Sequence, residues 1–153
     1  MEVRIVTFPE TRIARLRHEG PTEAEHATAL RLVAWKLEQR LLDPSRHRSY
    51  GLHHLHAGMS STHRRVDFCV SIDRPVGANA QGIDETIIPA CRCALARDVG
   101  SRMNNRAAAW LFEHWLPSSG EAFSGDPVIF HYVNVGPSVK EADAITDVYL
   151  PLA

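Results

Sequence analysis

The chain has 153 residues, is 44% hydrophobic and 23% charged, and carries a net charge of −1. No apolar run approaches the roughly 18 residues of a membrane span, and the near-neutral balance excludes a surface built mainly to grip nucleic-acid phosphates. The length suits one domain, with each half too short to bury much core by itself.

Met-Glu-Val-Arg leads straight into a strand-like pattern, so no signal peptide is read and the cytoplasm is the expected location. Val3–Phe8 and Arg12–His18 read as strands separated by Pro9-Glu10. Gly20-Pro21 breaks the chain, and Thr22 with Glu25 three residues on predicts a capping box at the start of a helix. That helix shows Ala27, Leu30, Ala34, Leu37 and Leu41 at spacings of three and four, which predicts one buried stripe, and Asp43-Pro44 ends it. Strands are expected near Tyr50–His56 and Arg65–Ile72, followed by a turn-rich linker between Arg74 and Gly82. Beyond it come strands near Ile83–Ile88 and Cys91–Val99, a break at Gly100-Ser101 and a helix to Leu116. Strands at Val128–Val133 and Ile145–Leu150 close the series.

The two halves have the same order because they share residues at a constant offset of eighty. Pro9 falls on Pro89, Arg12 on Arg92, Arg17 on Arg97, Gly20 on Gly100, Trp35 on Trp115 and Asp67 on Asp147. The expected fold is α+β, built from duplicated strand-helix-strand-strand units with pseudo-twofold symmetry and an antiparallel sheet carrying two main helices. Residues 1–153 are expected to form one domain: repeat 1 at about 1–73, the linker at about 74–82 and repeat 2 at about 83–153. Charge is unevenly divided. Residues 1–80 hold twelve Lys/Arg against nine Asp/Glu, and residues 81–153 hold five against nine.

Five segments in this order resemble a known family. They are Phe8-Pro9-Glu10, His18-Glu19-Gly20-Pro21, Arg65-Val66-Asp67-Phe68-Cys69-Val70, Trp115-Leu116-Pro117-Ser118-Ser119-Gly120 and Asp147-Val148-Tyr149-Leu150-Pro151-Leu152. Together they resemble the gyrase-inhibitor-like domain, which also serves AraC-type and MerR-type regulators as an effector-binding domain. The resemblance implies an aromatic-lined groove near the pseudo-twofold axis. In many members a buried glutamate in a Phe-Glu-x-Tyr-like strand supports binding of cationic aromatic compounds. The strand here reads Ile129-Phe130-His131-Tyr132, which matches the glutamate to His131 and weakens the expectation of a cationic ligand.

At an offset of eighty, His131 falls on Gly51 and Tyr149 on Cys69, so the second half supplies the larger side chain at both places. The ligand-contact candidates are therefore His131, Tyr149, Trp110 and Phe68, with Tyr132 and Trp115 flanking, Gly51 leaving room, and Glu113 as an alternative carboxylate. The expected function is that of a stand-alone module binding an aromatic or amphiphilic, drug-like compound between the repeats. Hydrolysis of reactive aromatic toxins, with His131 or Glu113 as acid or base, is one alternative; a protein-binding antagonist of a topoisomerase is another. No cofactor is expected. His54 and His56 would share a strand face, but no matching Cys or carboxylate spacing supports a metal site. The three cysteines are expected to be reduced core thiols. No helix-turn-helix segment is read, so direct DNA contact is not expected, while a homodimer through a sheet edge or a protein partner is compatible with the sequence.

Overall fold

A computed structural model describes residues 1–55, 63–102 and 105–153. The strands are β1 (Val3–Phe8), β2 (Thr11–Pro21), β3 (Ser49–His54), β4 (His63–Ser71), β5 (Asp84–Ile88), β6 (Cys91–Val99), β7 (Val128–Tyr132) and β8 (Ile145–Pro151). Helix α1 spans Glu25–Glu38. The second helical segment is α2 (Ala107–Trp110), a π-helical turn (Leu111–Trp115) and α3 (Leu116–Ser119).

All eight strands form one antiparallel sheet in the order β1-β6-β8-β7-β3-β4-β2-β5. That order is palindromic: exchanging each strand of the first half with its counterpart in the second reverses the list. The two halves meet where β3 pairs with β7. β1 and β2 lie near opposite ends of the sheet, yet only Pro9 and Glu10 separate them; Pro89 and Ala90 do the same for β5 and β6. Two residues span at most about 10 Å between strand ends, so the sheet has to curl until its ends approach. The curl brings Phe8 of edge strand β1 edge-on to Tyr50 of central β3, at 5.7 Å between ring centroids. Inside it lies a core of Phe8, Ile13, Tyr50, Leu52, Cys69, Ile88, Cys93 and Ile129.

The helices cover the outer face. Under α1, Ala14, Leu16 and Val70 pack with Leu32 and Trp35. Under the second helical segment, Ala94, Ala96, Val128, Val148 and Leu150 pack with Ala107 and Leu111. Asn105 accepts a hydrogen bond from the Ala107 amide in the turn that leads into α2.

Two local expectations fail, both around α1. There is no capping box: neither flanking residue makes a side-chain cap bond, and the Glu25 carboxylate instead accepts two hydrogen bonds from Arg64. The chain enters the helix from a buried His18, whose Nε2 donates to the Pro21 carbonyl and whose Nδ1 lies 2.9 Å from the Thr28 hydroxyl. Of the stripe read as buried, only Leu41, which lies beyond the end of α1, is in the core; the part on the helix is exposed. Leu30 and Leu37 are more than half exposed and Ala27 and Ala34 are also on the surface, while Thr28, Leu32 and Trp35 face the sheet. Spacing alone fits either face here, because Leu32 and Trp35 keep a three-residue step of their own.

Candidate functional site

The pairing at the seam changes the repeat register. Arg17 pairs with Asp67 and Arg97 with Asp147, so the β2–β4 and β6–β8 ladders keep the offset of eighty. On the next ladder, Phe68 pairs with Gly51, whereas its counterpart Val148 pairs with Phe130. Gly51 therefore corresponds to Phe130, Leu52 to His131 and His53 to Tyr132, at an offset of seventy-nine. His131 does not face Gly51; it pairs with Tyr50, and Gly51 pairs with Phe130. The pseudo-twofold axis passes through that Gly51–Phe130 pair. The helices slip in the same sense: buried Thr28 and Leu32 are answered by Ala107 and Leu111. The extra residue accommodated by the π turn returns Trp115 to the register of Trp35.

Strand alternation fixes which side chains meet at the axis. On the helix-covered face, Phe68, Gly51, Phe130 and Val148 form a row across β4, β3, β7 and β8. Tyr132 and His53 lie over the centre of that row. The Tyr132 hydroxyl occupies the space of the missing Gly51 side chain, and a Cβ at Gly51 would collide with it. His53 stacks on Phe130, with centroids 4.0 Å apart and planes 30° apart. Burial pushes the Tyr132 hydroxyl up to about 12. Burial, with Arg64 and His54 adding to it, pushes the His53 imidazole down to about 3. The His53 Nε2 is closed off from solvent and, among the described residues, has no hydrogen-bond partner. A buried nitrogen left in this state costs free energy that a ligand can recover.

Charges border this row. Arg64 is tied to Glu25. Arg102 lies 5.3 Å from the centroid of the Tyr132 ring, and its guanidinium donates to the Thr146 hydroxyl and to the Asn134 and Ile145 carbonyls. Lys36 is half-buried, with Nζ 3.3 Å from the hydroxyl of Ser49, the residue paired with Tyr132. Burial lowers the pKa of both Lys36 and Arg102. Among the described residues, neither has a carboxylate within ion-pair distance.

The candidates proposed from sequence divide between the two faces. Phe68, Gly51 and Tyr132 meet at the seam on the helix side. Trp110 and Trp115 lie half-buried on the same cluster as Phe130. His131 and Tyr149 point the other way, into the curl: His131 packs 5.0 Å from Tyr50 and Tyr149 5.1 Å from Phe8. Burial holds His131 below the usual imidazole range, with Arg48 and Arg97 adding to this and Asp147 opposing it. Glu113 is exposed on the π turn and joins neither group. His54 donates to the buried Asp67 at 3.0 Å; His56 lies outside the described residues. Cys69, Cys91 and Cys93 are free thiols. Two concavities, of about 280 Å³ beside Trp35 and Gly77–Gln81 and about 390 Å³ beside Leu95, Arg97 and Asp147, lie away from the seam, which Tyr132 and His53 fill.

Residues 1–153 match the family described as the GyrI-like small molecule binding domain. The chain belongs to this family. The protein named probable transcriptional regulator YgiV from Escherichia coli K12 is 30% identical over 155 residues, covering 100% of this chain and 97% of that one. Among solved structures, the C-terminal domain of EcmrR superposes with a TM-score of 0.80 at 16% identity, over 99% of this chain and 97% of that domain. Against the EcmrR chain solved with DNA, this chain spans 57% of the length, with a TM-score of 0.79. SAV2435, solved bound to tetraphenylphosphonium, matches with a TM-score of 0.61 at 11% identity, over 100% of this chain and 94% of that one.

The strand geometry separates His131 from the axis. Tyr132 shares its face with Phe130, which stands on the axis, while His131 lies on the opposite face. Sequence reasoning missed His53, Phe130, Lys36 and Arg102. Two signals were available: His53 and Phe130 follow from counting two residues along the strands from Gly51 and Tyr132, and Lys36 lies four residues beyond Leu32 on the inward side of α1.

Proposed function

We propose that this GyrI-like domain binds a planar aromatic compound that is neutral or acidic, in the seam above the Phe68–Gly51–Phe130 row. The observation that carries the reading is the combination of aromatic walls with two cations, Lys36 and Arg102, that have no carboxylate partner among the described residues, beside an imidazole nitrogen that has no partner among them either. Gly51 gives a flat surface on which a ring can lie, at the position now taken by the Tyr132 hydroxyl. Binding would swing Tyr132 off Gly51, set the ligand's ring against Phe130 and Phe68, and satisfy His53 Nε2 with a donor or acceptor, according to its tautomer. An acidic group on the ligand would meet Lys36 and Arg102. Among the described residues no free carboxylate stands at the centre to hold a cation: Glu25 is paired with Arg64, and Phe130 stands on the axis. SAV2435 holds a lipophilic cation; the charges here favour the opposite sign.

Titration calorimetry with three probes tests this: 1-naphthoate, 1-naphthol and tetraphenylphosphonium. Naphthoate should bind about tenfold more tightly than naphthol, the equivalent of about 1.4 kcal/mol. Lys36→Met and Arg102→Met should each erode that preference, and Tyr132→Ala should alter the affinity for both naphthyl probes. Tighter binding of tetraphenylphosphonium than of naphthoate, or affinities indifferent to all three substitutions, would overturn the reading.

A further inference from the structure

The outward face of α1 carries a second pattern that the small-molecule reading leaves unused. Leu30, Val33 and Leu37 are 52%, 46% and 58% exposed. They belong to a longer exposed series, Glu23, His26, Leu30, Val33, Leu37 and Arg40, whose spacings are three, four, three, four and three. His26, Leu30, Val33 and Leu37 lie on α1 itself; Glu23 sits in the 3-10 turn that leads into the helix, and Arg40, with a φ of 57°, follows its end. The face is apolar in the middle, as in a helix that packs against another helix, with one charge of each sign just beyond its two ends. The second helical segment has no such face. It is broken by the π turn and by Pro117, and its large side chains Trp110, Phe112, Trp115 and Leu116 pack onto the sheet.

We propose that this face binds a second copy of the chain, α1 against α1, antiparallel about a twofold axis. The charge pattern selects the occupant. In an antiparallel pair centred between Leu30 and Val33, Leu30 meets the partner's Val33, His26 meets the partner's Leu37, and Glu23 meets the partner's Arg40, each contact made twice. A parallel pair would set Glu23 against Glu23 and Arg40 against Arg40. The series is thus complementary to itself in one orientation, as an isologous interface requires. One helix face is small beside the roughly 800 Å² per partner of a standard interface, so the dimer is weak and concentration-dependent. The contact lies on the side of α1 away from the seam, so it leaves the ligand site accessible.

Sedimentation velocity on the whole chain tests the proposal. The protein should be largely monomeric at about 5 µM and largely dimeric at about 500 µM, the range expected for an interface of this size. Leu30→Glu combined with Leu37→Glu should be monomeric throughout, with unchanged far-ultraviolet circular dichroism and melting temperature. Glu23→Arg alone should weaken association several-fold, and adding Arg40→Glu should restore it. A monomer at every concentration, or a dimer indifferent to the paired leucine substitutions, would overturn the proposal. Loss of the dimer in the leucine variant without rescue by the charge exchange would overturn the antiparallel register.

Discussion

The two halves of the sheet repeat each other's backbone but differ in how they treat the same buried carboxylate. In the first half Asp67 is fully buried. It accepts from His54 at 3.0 Å and Arg65 at 3.1 Å, with Arg15 at 4.0 Å and Arg17 at 3.9 Å. Burial alone would raise the Asp67 pKa; the hydrogen bonds from His54 and Arg65 and their charges outweigh it and hold the carboxyl below its ordinary range. In the second half Asp147 has, among the described residues, one hydrogen-bonding side chain, the half-exposed Arg97, from which it accepts at 2.7 and 3.0 Å. The counterparts of Arg15 and Arg65 are Leu95 and Ile145, and the concavity of about 390 Å³ opens beside Leu95. The asymmetry at the axis runs the other way: Gly51 and His53 lie in the first half, Phe130 and Tyr132 in the second. Duplication fixed the frame, and divergence filled one corner with charge and the seam with rings.

The largest expected effect separates the two carboxylates. Asp67→Asn should destabilise by about 3–5 kcal/mol, because it leaves several buried or half-buried cations without their shared anion. Asp147→Asn should cost only about 1 kcal/mol, since Arg97 can turn to solvent. Urea denaturation with an unchanged m-value checks both; equal losses would show that the richer network adds nothing.

At the axis, Gly51→Ala should cost about 1–3 kcal/mol through overpacking against Tyr132. Pairing it with Tyr132→Phe should recover part of that loss, because the hydroxyl is the atom the new methyl would strike. Phe130→Gly would place the small residue on both strands and test whether ligand affinity follows the flat surface or its partner ring.

His53 sharpens the comparison with Tyr132 through pH. Its folded pKa of about 3 lies below the unfolded value near 6.5, so the unfolded chain binds the proton first. The stability tied to a neutral His53 is therefore complete above pH 6.5 and lost as pH falls from there toward 3. The loss should be about 1 kcal/mol between pH 7 and pH 5.5. His53→Tyr, which makes the two halves alike, should flatten that part of the profile in thermal denaturation. The smallest effects concern α1. Glu25→Gln should cost up to about 1 kcal/mol by releasing Arg64, whereas Thr22→Ala should be silent in the same melts because its hydroxyl caps nothing.

Much of the frame was legible before any coordinates. β1 and β6 were read at their observed bounds, β4 nearly so, and the duplicated Pro, Gly, Trp and Asp residues implied two equivalent units about a pseudo-twofold axis. The seam was legible only in part. The structure brings Phe68, Gly51 and Tyr132 together there, whereas His131, assigned to it from the family's glutamate position and by counting eighty residues along the chain, faces the curl. The slip to seventy-nine at β3 and β7 lies in connecting segments, where a residue gained or lost leaves no mark on the matched positions. One such step turns a strand's side chains to the other face, which is why His131 and Tyr149 line the curl while His53 and Tyr132 line the seam.

The sequence by itself determined the number and order of strands, the two helical segments and the equivalence of the halves, because alternation, helical spacing and repeated turn residues are local properties. Only the tertiary structure decided which face of α1 is buried, which carboxylate gathers the arginines and which residue stands on the axis. Those outcomes depend on hydrogen-bond register between strands far apart in the chain and on the curl imposed by two-residue links. Neither is a property of any single segment.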